Sequence, residues 1–442
     1  MAGGTFKLSQ PKVRPGVYVN VLNGRQPTAV GVTEGVGMIP LVGYDYGPRS
    51  QWIHLTADSP DAAQALFGRS IYDDNEFMRM INLMFQRATE VYVMICGGGN
   101  KASVKVCTNK VTLTAKYAGT RGNKLQVVSV ANAEDGFDIS VFMDGSEVER
   151  HEKVTAWESI ESAYIDIAVT DSAAVAAFAS ATLIGGTDDA TNSTFGTFLD
   201  MAEKIHFNCM AVPVTDASLI TAAISKIRYI RNSIGWKCTA VVANTAADYE
   251  GIYNLTNGFV FDGAEVPAAQ ATAWLAGAVA AADYVTSLTY TVVDGATVLV
   301  GEKTNEASIA AIRAGEIFFS IDETGSVILE YDRNSKVSFT QDDPVDIYKG
   351  RPLRVYDTLA NELLLTFRPN RFDNDEDGWN VMEGLGRSIL QAYEGDGALQ
   401  NVDLESDFIV DRGRSTGDSV YLNVGIQPVD SAEKYYFTVI SK

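Results

Sequence analysis

Few residues of this chain have the types and spacing that chemistry needs, and context works against each group in turn. Gly97-Gly98-Gly99 follows an apolar run at residues 90–96, where a dinucleotide-binding turn could stand. It lacks the GxGxxG spacing, and Asn100-Lys101-Ala102-Ser103-Val104-Lys105-Val106 after it reads as strand, not as a phosphate-holding helix. No GxxxxGKS/T loop occurs. Gly185-Gly186-Thr187-Asp188-Asp189 could cradle an anion ahead of a helix. Its two carboxylates repel phosphate, so it reads as a turn joining domains. Asp373-Asn374-Asp375-Glu376-Asp377-Gly378 resembles half of a calcium loop, with glycine sixth. The twelfth position is Gly384, where a bidentate Glu is needed, and Glu383 comes one residue early. An acidic turn capping a helix from Trp379 is the simpler reading.

The remaining reactive side chains are scattered. His54, His151 and His206 lie far apart, and no GxSxG elbow supplies a nucleophile. Cys96, Cys107, Cys209 and Cys238 form no CxxC pair, so neither a zinc site nor a disulfide framework is expected. They read as buried small hydrophobes of a protein made in a reducing cytoplasm. The expectation is no enzyme, no cofactor and no metal.

Bulk properties narrow the class further. The chain has 442 residues, 46% hydrophobic and 21% charged, which is enough for several real cores. A net charge of −21 excludes a phosphate-backbone partner, so no nucleic acid is expected. The first 30 residues hold no apolar signal-peptide core. The longest apolar stretch, 271–285, is short for a membrane span and contains Asp283, so no direct membrane insertion is expected.

The elements fall into an α/β and α+β multidomain pattern. Residues 36–43 read as a strand that Pro40 demotes towards an edge. Ser59-Pro60 opens a short helix to Phe67. Phe77, Met80, Ile81, Met84, Phe85 and Ala88 recur at helical spacing. Short β runs then predominate at 104–107, 111–116, 125–130, 137–142 and 165–169, separated by glycine turns. Helix–strand alternation returns with helices at 194–204, 217–231 and 268–282 and strands at 207–214, 238–242 and 258–261. The expected architecture is an α/β core domain of residues 28–100 with 185–315, interrupted by an inserted β-rich domain at 101–184. A C-terminal α+β domain spans 316–412, with strands at 317–321, 327–330, 353–357 and 363–367 and a helix at 379–393.

Residues 1–27 and 413–442 read as linkers with strand arms. Arg14-Pro15-Gly16 leads into Val17-Tyr18-Val19-Asn20-Val21-Leu22, where Val17, Val19 and Val21 share one face. Val420, Leu422, Val424 and Ile426 alternate cleanly, whereas the run Tyr435-Tyr436-Phe437-Thr438-Val439-Ile440 does not, as in a strand covered on both faces. Apolar strands at chain ends invite pairing with another chain. The residues alone leave open whether they link copies or close the chain's own sheet. Asn23–Pro27 and Gly413–Gly417 are the candidate hinges.

Several ordered segments carry a family resemblance. They are Val13-Arg14-Pro15-Gly16-Val17-Tyr18, Ala115-Lys116-Tyr117-Ala118-Gly119-Thr120-Arg121-Gly122-Asn123, Leu183-Ile184-Gly185-Gly186-Thr187-Asp188, Trp274-Leu275-Ala276-Gly277 and Ser287-Leu288-Thr289-Tyr290. Asp342-Asp343-Pro344 and Glu433-Lys434-Tyr435-Tyr436-Phe437-Thr438-Val439 complete the set. Together they resemble the tail sheath proteins of contractile phage tails and phage-tail-like particles, especially those of phage-like elements in Gram-positive bacteria. The resemblance implies a helical homopolymer around an inner tail tube protein, bounded by baseplate and terminator or collar proteins. It implies terminal arms donated as strands to neighbours' C-terminal domains, and contraction that drives the tube through a target envelope. It also implies assembly in the bacterial cytoplasm, then residence in a virion tail or a released particle. On the 379–393 helix, Glu383, Arg387 and Gln391 are the residues expected to meet the tube. The alternatives are another multidomain virion or surface protein and, more remotely, an α/β nucleotide-binding enzyme.

Overall fold

The computed structural model describes residues 2–4, 16–18, 32–189 and 192–441. A seven-stranded sheet forms the frame. Its strands, edge to edge, are Glu316–Ile317, Ile252–Leu255, Thr239–Ala243, Cys209–Ala211, Val36–Val42, Glu90–Cys96 and Trp52–Thr56. Neighbours run parallel except Trp52–Thr56, which is antiparallel to Glu90–Cys96. Parallel strands are covered on both faces and so carry continuous apolar runs. Val36–Val42, Thr239–Ala243 and Ile252–Leu255 are buried along nearly their whole length.

Helices supply the two covers. On one face, helices Glu76–Phe85 and Ala268–Ala281 bring Met84 and Trp274 against Ile39, Leu41 and Val93. On the other, helices Asn192–Ala202 and Ala217–Tyr229 bring Phe198 and Leu219 against Met38 and Met94. Helix Ala268–Ala281 is apolar all round because it is buried all round. A Cβ on Gly277 would lie 2.4 Å from the Met84 carbonyl oxygen, so this glycine sets how closely the two helices cross. Among the described residues no helix is long and apolar enough to cross a membrane.

Pro40 does not place its strand at an edge. Val36–Val42 is internal, but its pairing with Cys209–Ala211 stops at Met38. Beyond that point the strand has a partner on one side only, and proline removes no shared ladder bond there.

Between Cys96 and Asn192 the chain leaves this sheet and forms a β-sandwich. One sheet has four strands in the order Ser146–Val154, Phe137–Met143, Leu125–Ala131 and Phe178–Thr182. The other has three, ordered Ile165–Val169, Val111–Ala118 and Lys101–Val106. Ser146–Val154 and Phe178–Thr182 were not expected. The first is an edge strand of mostly charged residues, so it gives no apolar alternation to read. Outgoing and returning chains pair at Gly98 with Asp189 and at Ser103 with Ile184. Gly99 has φ +128°, and a Cβ there would lie 1.9 Å from the Thr187 carbonyl oxygen. The triple glycine serves this crossing.

The C-terminal region departs most from expectation. The strands expected at 353–357 and 363–367 are one helix, Gly350–Thr366. Each short apolar run is ambiguous alone. The intervening Leu359-Ala360-Asn361-Glu362 continues the helix, and Val355 and Leu359 land on one buried face. Pro352 sits in the first turn, where its missing N–H costs nothing. Helix Glu376–Gly395 starts a little before the expected 379. Helix Gln64–Phe67 begins later than Ser59-Pro60 implied, and helix Asn305–Arg313, capped by Thr304, had no apolar period to announce it.

Candidate assembly site

Helices Gly350–Thr366 and Glu376–Gly395 support a short antiparallel hairpin, Phe408–Val410 with Leu422–Val424. Phe408 seats it. Its ring is buried, stacks on Phe367 with centroids 5.8 Å apart, and lies where a Cβ on Gly386 would come within 2.2 Å. Leu422 and Ile426 cover the same apolar cluster from above.

The turn between the two strands is tied down. Ser415 Oγ accepts from Tyr421 N at 3.0 Å, and the Arg414 guanidinium lies 4.2 Å over the Tyr421 ring. Asn374 Nδ2 donates to the Gly417 and Ser419 carbonyls at 2.9 and 3.2 Å. Residues 413–417, read from sequence as a hinge, are therefore a hydrogen-bonded turn. Val420, Leu422, Val424 and Ile426 belong to this chain's own hairpin and the strip beside it, not to a free arm.

The hairpin's two edges differ. Asp411 N donates to Tyr421 O at 2.7 Å and Gly425 N to Asp407 O at 2.8 Å. Antiparallel alternation then turns the backbone groups of Leu422 and Val424 outward, and those of Phe408 and Val410 towards the opposite edge. On that opposite edge Val410 N donates to Glu383 Oε1 at 2.9 Å. Glu383 also receives Arg412 Nη1 at 2.7 Å and is 5% exposed. The Arg412 hydrogen bond, with the Val410 N–H, holds its carboxyl below the usual range against the opposing effect of burial. Glu383, expected to face outward, therefore works inside the subunit as a strand-edge cap. Arg387 is half-buried and Gln391 exposed on the outer face of the same helix. The Leu422–Val424 edge has no strand beside it among the described residues.

Past the hairpin the chain is anchored and then released. Val429 N donates to Ala398 O at 2.8 Å. Lys349 Nζ pairs with Asp430, and with Glu433 at 3.2 Å. Glu433 Oε1 also accepts from Thr289 Oγ1 at 2.8 Å and Ser287 Oγ at 3.2 Å. Burial pulls the Lys349 ammonium pKa down, but the Asp430 hydrogen bond and the charges of Tyr331 and Glu433 outweigh it and hold it above its ordinary value. Beyond Glu433 the apolar side chains come into solvent. Tyr435, Tyr436, Phe437, Val439 and Ile440 are 69% to 93% exposed. The expected strand there has no ladder partner among the described residues.

At the other end Ala2–Gly4 pairs in parallel with Gly16–Tyr18, which includes Val17. Arg14, Pro15, Val19, Val21 and the linker at 23–27 lie outside the described residues. Sequence reasoning missed Phe408, Gly386, Lys349 and Glu433. Each acts through a partner distant in sequence, and spacing carries no trace of such pairs.

The residues first weighed for chemistry have structural partners. Asp375 caps helix Glu376–Gly395 by accepting from Gly378 N at 2.8 Å, and Asn374 accepts from Trp379 Nε1 at 2.6 Å. Asp188 accepts from Thr120 N at 3.0 Å, with Arg49 at 3.7 Å. His54 pairs with Glu90 at 2.8 Å, His151 lies 3.1 Å from Glu149, and His206 stacks on Trp236 at 4.0 Å. Burial, aided by Arg368, holds His206 below its ordinary value. Cys96, Cys209 and Cys238 are buried, whereas Cys107 is only half-buried. Burial pushes the Cys96 and Cys209 thiols up to about 12.

A mostly parallel mixed sheet, an antiparallel sandwich and a hairpin with a projecting apolar tail define a structural building block. Comparisons with known proteins place it. Residues 97–189 match the phage tail sheath protein beta-sandwich domain, 186–335 the phage tail sheath protein central domain and 342–442 the phage tail sheath C-terminal domain. The chain is 30% identical to the phage-like element PBSX protein XkdK of Bacillus subtilis, over 99% of each chain. It is 32% identical to the crystal structure of a sheath tail protein from Desulfitobacterium hafniense, covering 95% of this chain and 98% of that one at a TM-score of 0.84. The cryo-EM helical sheath of the anti-feeding prophage in its contracted state shares the fold, with 13% identity, 98% and 100% coverage and a TM-score of 0.58. The chain belongs to the phage tail sheath family, the structural, non-enzymatic sheath of contractile phage or phage-like injection systems.

Proposed function

We propose that this chain is the repeating subunit of a sheath that polymerises helically around an inner tail tube and contracts to drive it through a target cell envelope. One observation carries the reading: an apolar segment, 435–440, projects from an anchored root, and the hairpin's Leu422–Val424 edge has no strand beside it among the described residues. An exposed strand-forming run and an open edge are complementary halves of strand addition. The N-terminal arm, Arg14 to Val21, is the second donated segment. The hairpin bearing Val420, Leu422, Val424 and Ile426 is the acceptor on each subunit, and Tyr435, Tyr436, Phe437, Val439 and Ile440 are the C-terminal donor.

The hinge follows from the same geometry. Main-chain bonds in an added strand persist while bodies rotate, so the pivot lies between Glu433 and the donated run rather than at 413–417. Relatives of this fold occur as a contracted helical sheath and within a baseplate, which supports self-association and a baseplate partner; terminator or collar proteins complete the set we propose. Arg387 and Gln391, on the outer face of helix Glu376–Gly395, are the residues we assign to tube contact. We assign the moving bodies to a core of 28–100 with 185–335, since the strand Glu316–Ile317 expected in the C-terminal unit is an edge of the core sheet, to a sandwich of 101–184 and to a C-terminal unit that begins at 342. Assembly takes place in the bacterial cytoplasm before residence in a tail or released particle.

Electron microscopy of the concentrated protein tests the reading. Hollow helical tubes or rings are expected, and more of them with added salt, because screening relieves repulsion between subunits of charge −21. Monomers at every concentration and salt would contradict it.

A further inference from the structure

The central sheet ends in two unlike faces. At the N-terminal ends of its parallel strands lies a hollow of about 240 Å³, lined among others by Val36, Glu90, Tyr92, His206, Trp236 and Leu365. Ile234 and Leu364, neighbours of lining residues, are exposed apolar side chains. Arg368 adds to burial in holding His206 below its ordinary pKa, which sets the guanidinium near the hollow. Lys237 follows Trp236, and exposed Lys204 stands two residues before His206. Lys237 Nζ donates to Arg231 O at 2.9 Å and Arg368 Nε to Leu365 O at 3.0 Å. None of these three cations pairs with a carboxylate among the described residues, so the face is locally positive in a chain of charge −21.

The other face lies past the C-terminal ends of the strands. Asn257, two residues beyond Leu255, accepts from Phe319 N at 2.7 Å and donates to Phe319 O at 2.8 Å. Strand Phe319–Ile321 therefore leaves the sheet in the same direction, and Val327–Leu329 returns beside it. Tyr290 N donates to Leu329 O at 2.7 Å, and strand Ala296–Val300 packs on both. Tyr290, Val298 and Ile321 are 44% to 58% exposed here. Their charged surroundings are acidic. Glu330, then burial and Glu323, push the Tyr290 hydroxyl up, which places both carboxylates near it. Neither carboxylate has a cation partner among the described residues.

We propose that these two ends dock on each other in successive copies of the chain. The acidic apolar end of one subunit, around Tyr290 and Glu323, seats on the basic aromatic end of the next, around Trp236 and Arg368. Each face joins exposed apolar side chains to charges of one sign, and the signs are opposite. Residues 19–31, the nearest other candidate in sequence, hold no carboxylate and one arginine, so they do not answer the cations. Unlike faces at opposite ends make a heterologous contact that extends instead of closing, as a helical polymer requires. The proposal rests on the self-association proposed above and adds a body-to-body contact to the donated strands.

Zero-length carbodiimide cross-linking of the concentrated full-length chain, read by mass spectrometry, tests it. Links from Lys204 or Lys237 to Asp322, Glu323 or Glu330 are expected. The two ends lie at least a strand length apart, about 20 Å, so such links join different subunits. Tubes without them overturn this interface and leave the sheath reading standing. The links in small oligomers without tubes uphold the interface and count against the sheath. Monomers without links overturn both. Glu323→Lys adds a test by sign at fixed salt. It lessens the net negative charge, so bulk repulsion alone predicts easier assembly, whereas this contact predicts that the concentration needed rises about tenfold. Assembly at the same or a lower concentration overturns the proposal. If the variant does not fold, the links in the unsubstituted chain still decide.

Discussion

The seven-stranded sheet and the C-terminal hairpin solve opposite problems with the same backbone. In the sheet, strands are flanked, covered on both faces and sealed by helices crossing at Gly277, so little backbone is left to offer. The hairpin has two strands, one edge capped by Glu383 and the other open among the described residues, with an apolar run that pairs with none of them anchored nearby at Glu433. The first region holds the subunit's packing, and on the proposed function the second keeps its pairing for a neighbour. Substitutions in the two regions should therefore separate folding from assembly.

The largest effect belongs to the sheet. Trp274→Ala removes a fully buried ring from its helical cover and should cost about 3–5 kcal/mol in chemical denaturation. A loss below about 1 kcal/mol would mean that this packing is not where stability lies. Gly386→Val should come next. Its side chain meets the Phe408 ring, so we expect about 1–3 kcal/mol of overpacking and a displaced hairpin. Hydrogen exchange should show faster exchange at 408–424 and unchanged protection in Thr239–Ala243. Equal loosening of both would join the two regions into one.

A smaller effect is pH-dependent. Burial, and then the Asp283 charge, push the Glu34 carboxyl from 4.5 up to about 7, with Arg354 pulling the other way. Tyr284, Tyr393 and Asp396 also cluster around it. Between those two values the folded chain keeps a proton that the unfolded chain releases. Stability from this group therefore falls as pH rises from about 4.5 to about 7 and levels off above. Glu34→Gln should flatten that part of the melting profile. An unchanged slope would place the titration elsewhere.

Legibility in the sequence followed the same division. The strands Val36–Val42, Glu90–Cys96, Cys209–Ala211 and Thr239–Ala243 and the covering helices announce themselves because two-sided burial writes continuous apolar runs and 3.6-residue periods into them, whereas Trp52–Thr56 and Ile252–Leu255 are not among the expected strands and Gly258–Phe261, expected in the α/β pattern, pairs antiparallel in a separate sheet. Glycines at 97–99 were visible as a signal, although their role, the crossing at Thr187, became clear only in three dimensions. The C-terminal region is less legible. The runs at 353–357 and 363–367 each have the composition of a strand, and only the helix that joins them shows their common face. Val420 to Ile426 had the alternation of a strand, but alternation says which face is buried, not which chain supplies the partner. Glu383 shows the same gap, since a helix position predicts a face but not that Arg412 and Val410 will enclose it. The exposed run at 435–440 reads as a strand but forms none among the described residues, and its anchor at Lys349 and Glu433 is not legible in the sequence.

The most direct measurement compares the full chain with one ending at Glu433, by thermal melting and by electron microscopy of the same samples. Donation of residues 434–442 to a neighbour predicts equal melting temperatures, tubes or rings from the full chain and folded monomers from the shortened one. Tubes from the shortened chain would contradict it, and so would a marked loss of its stability, because the segment would then belong to the subunit's own core.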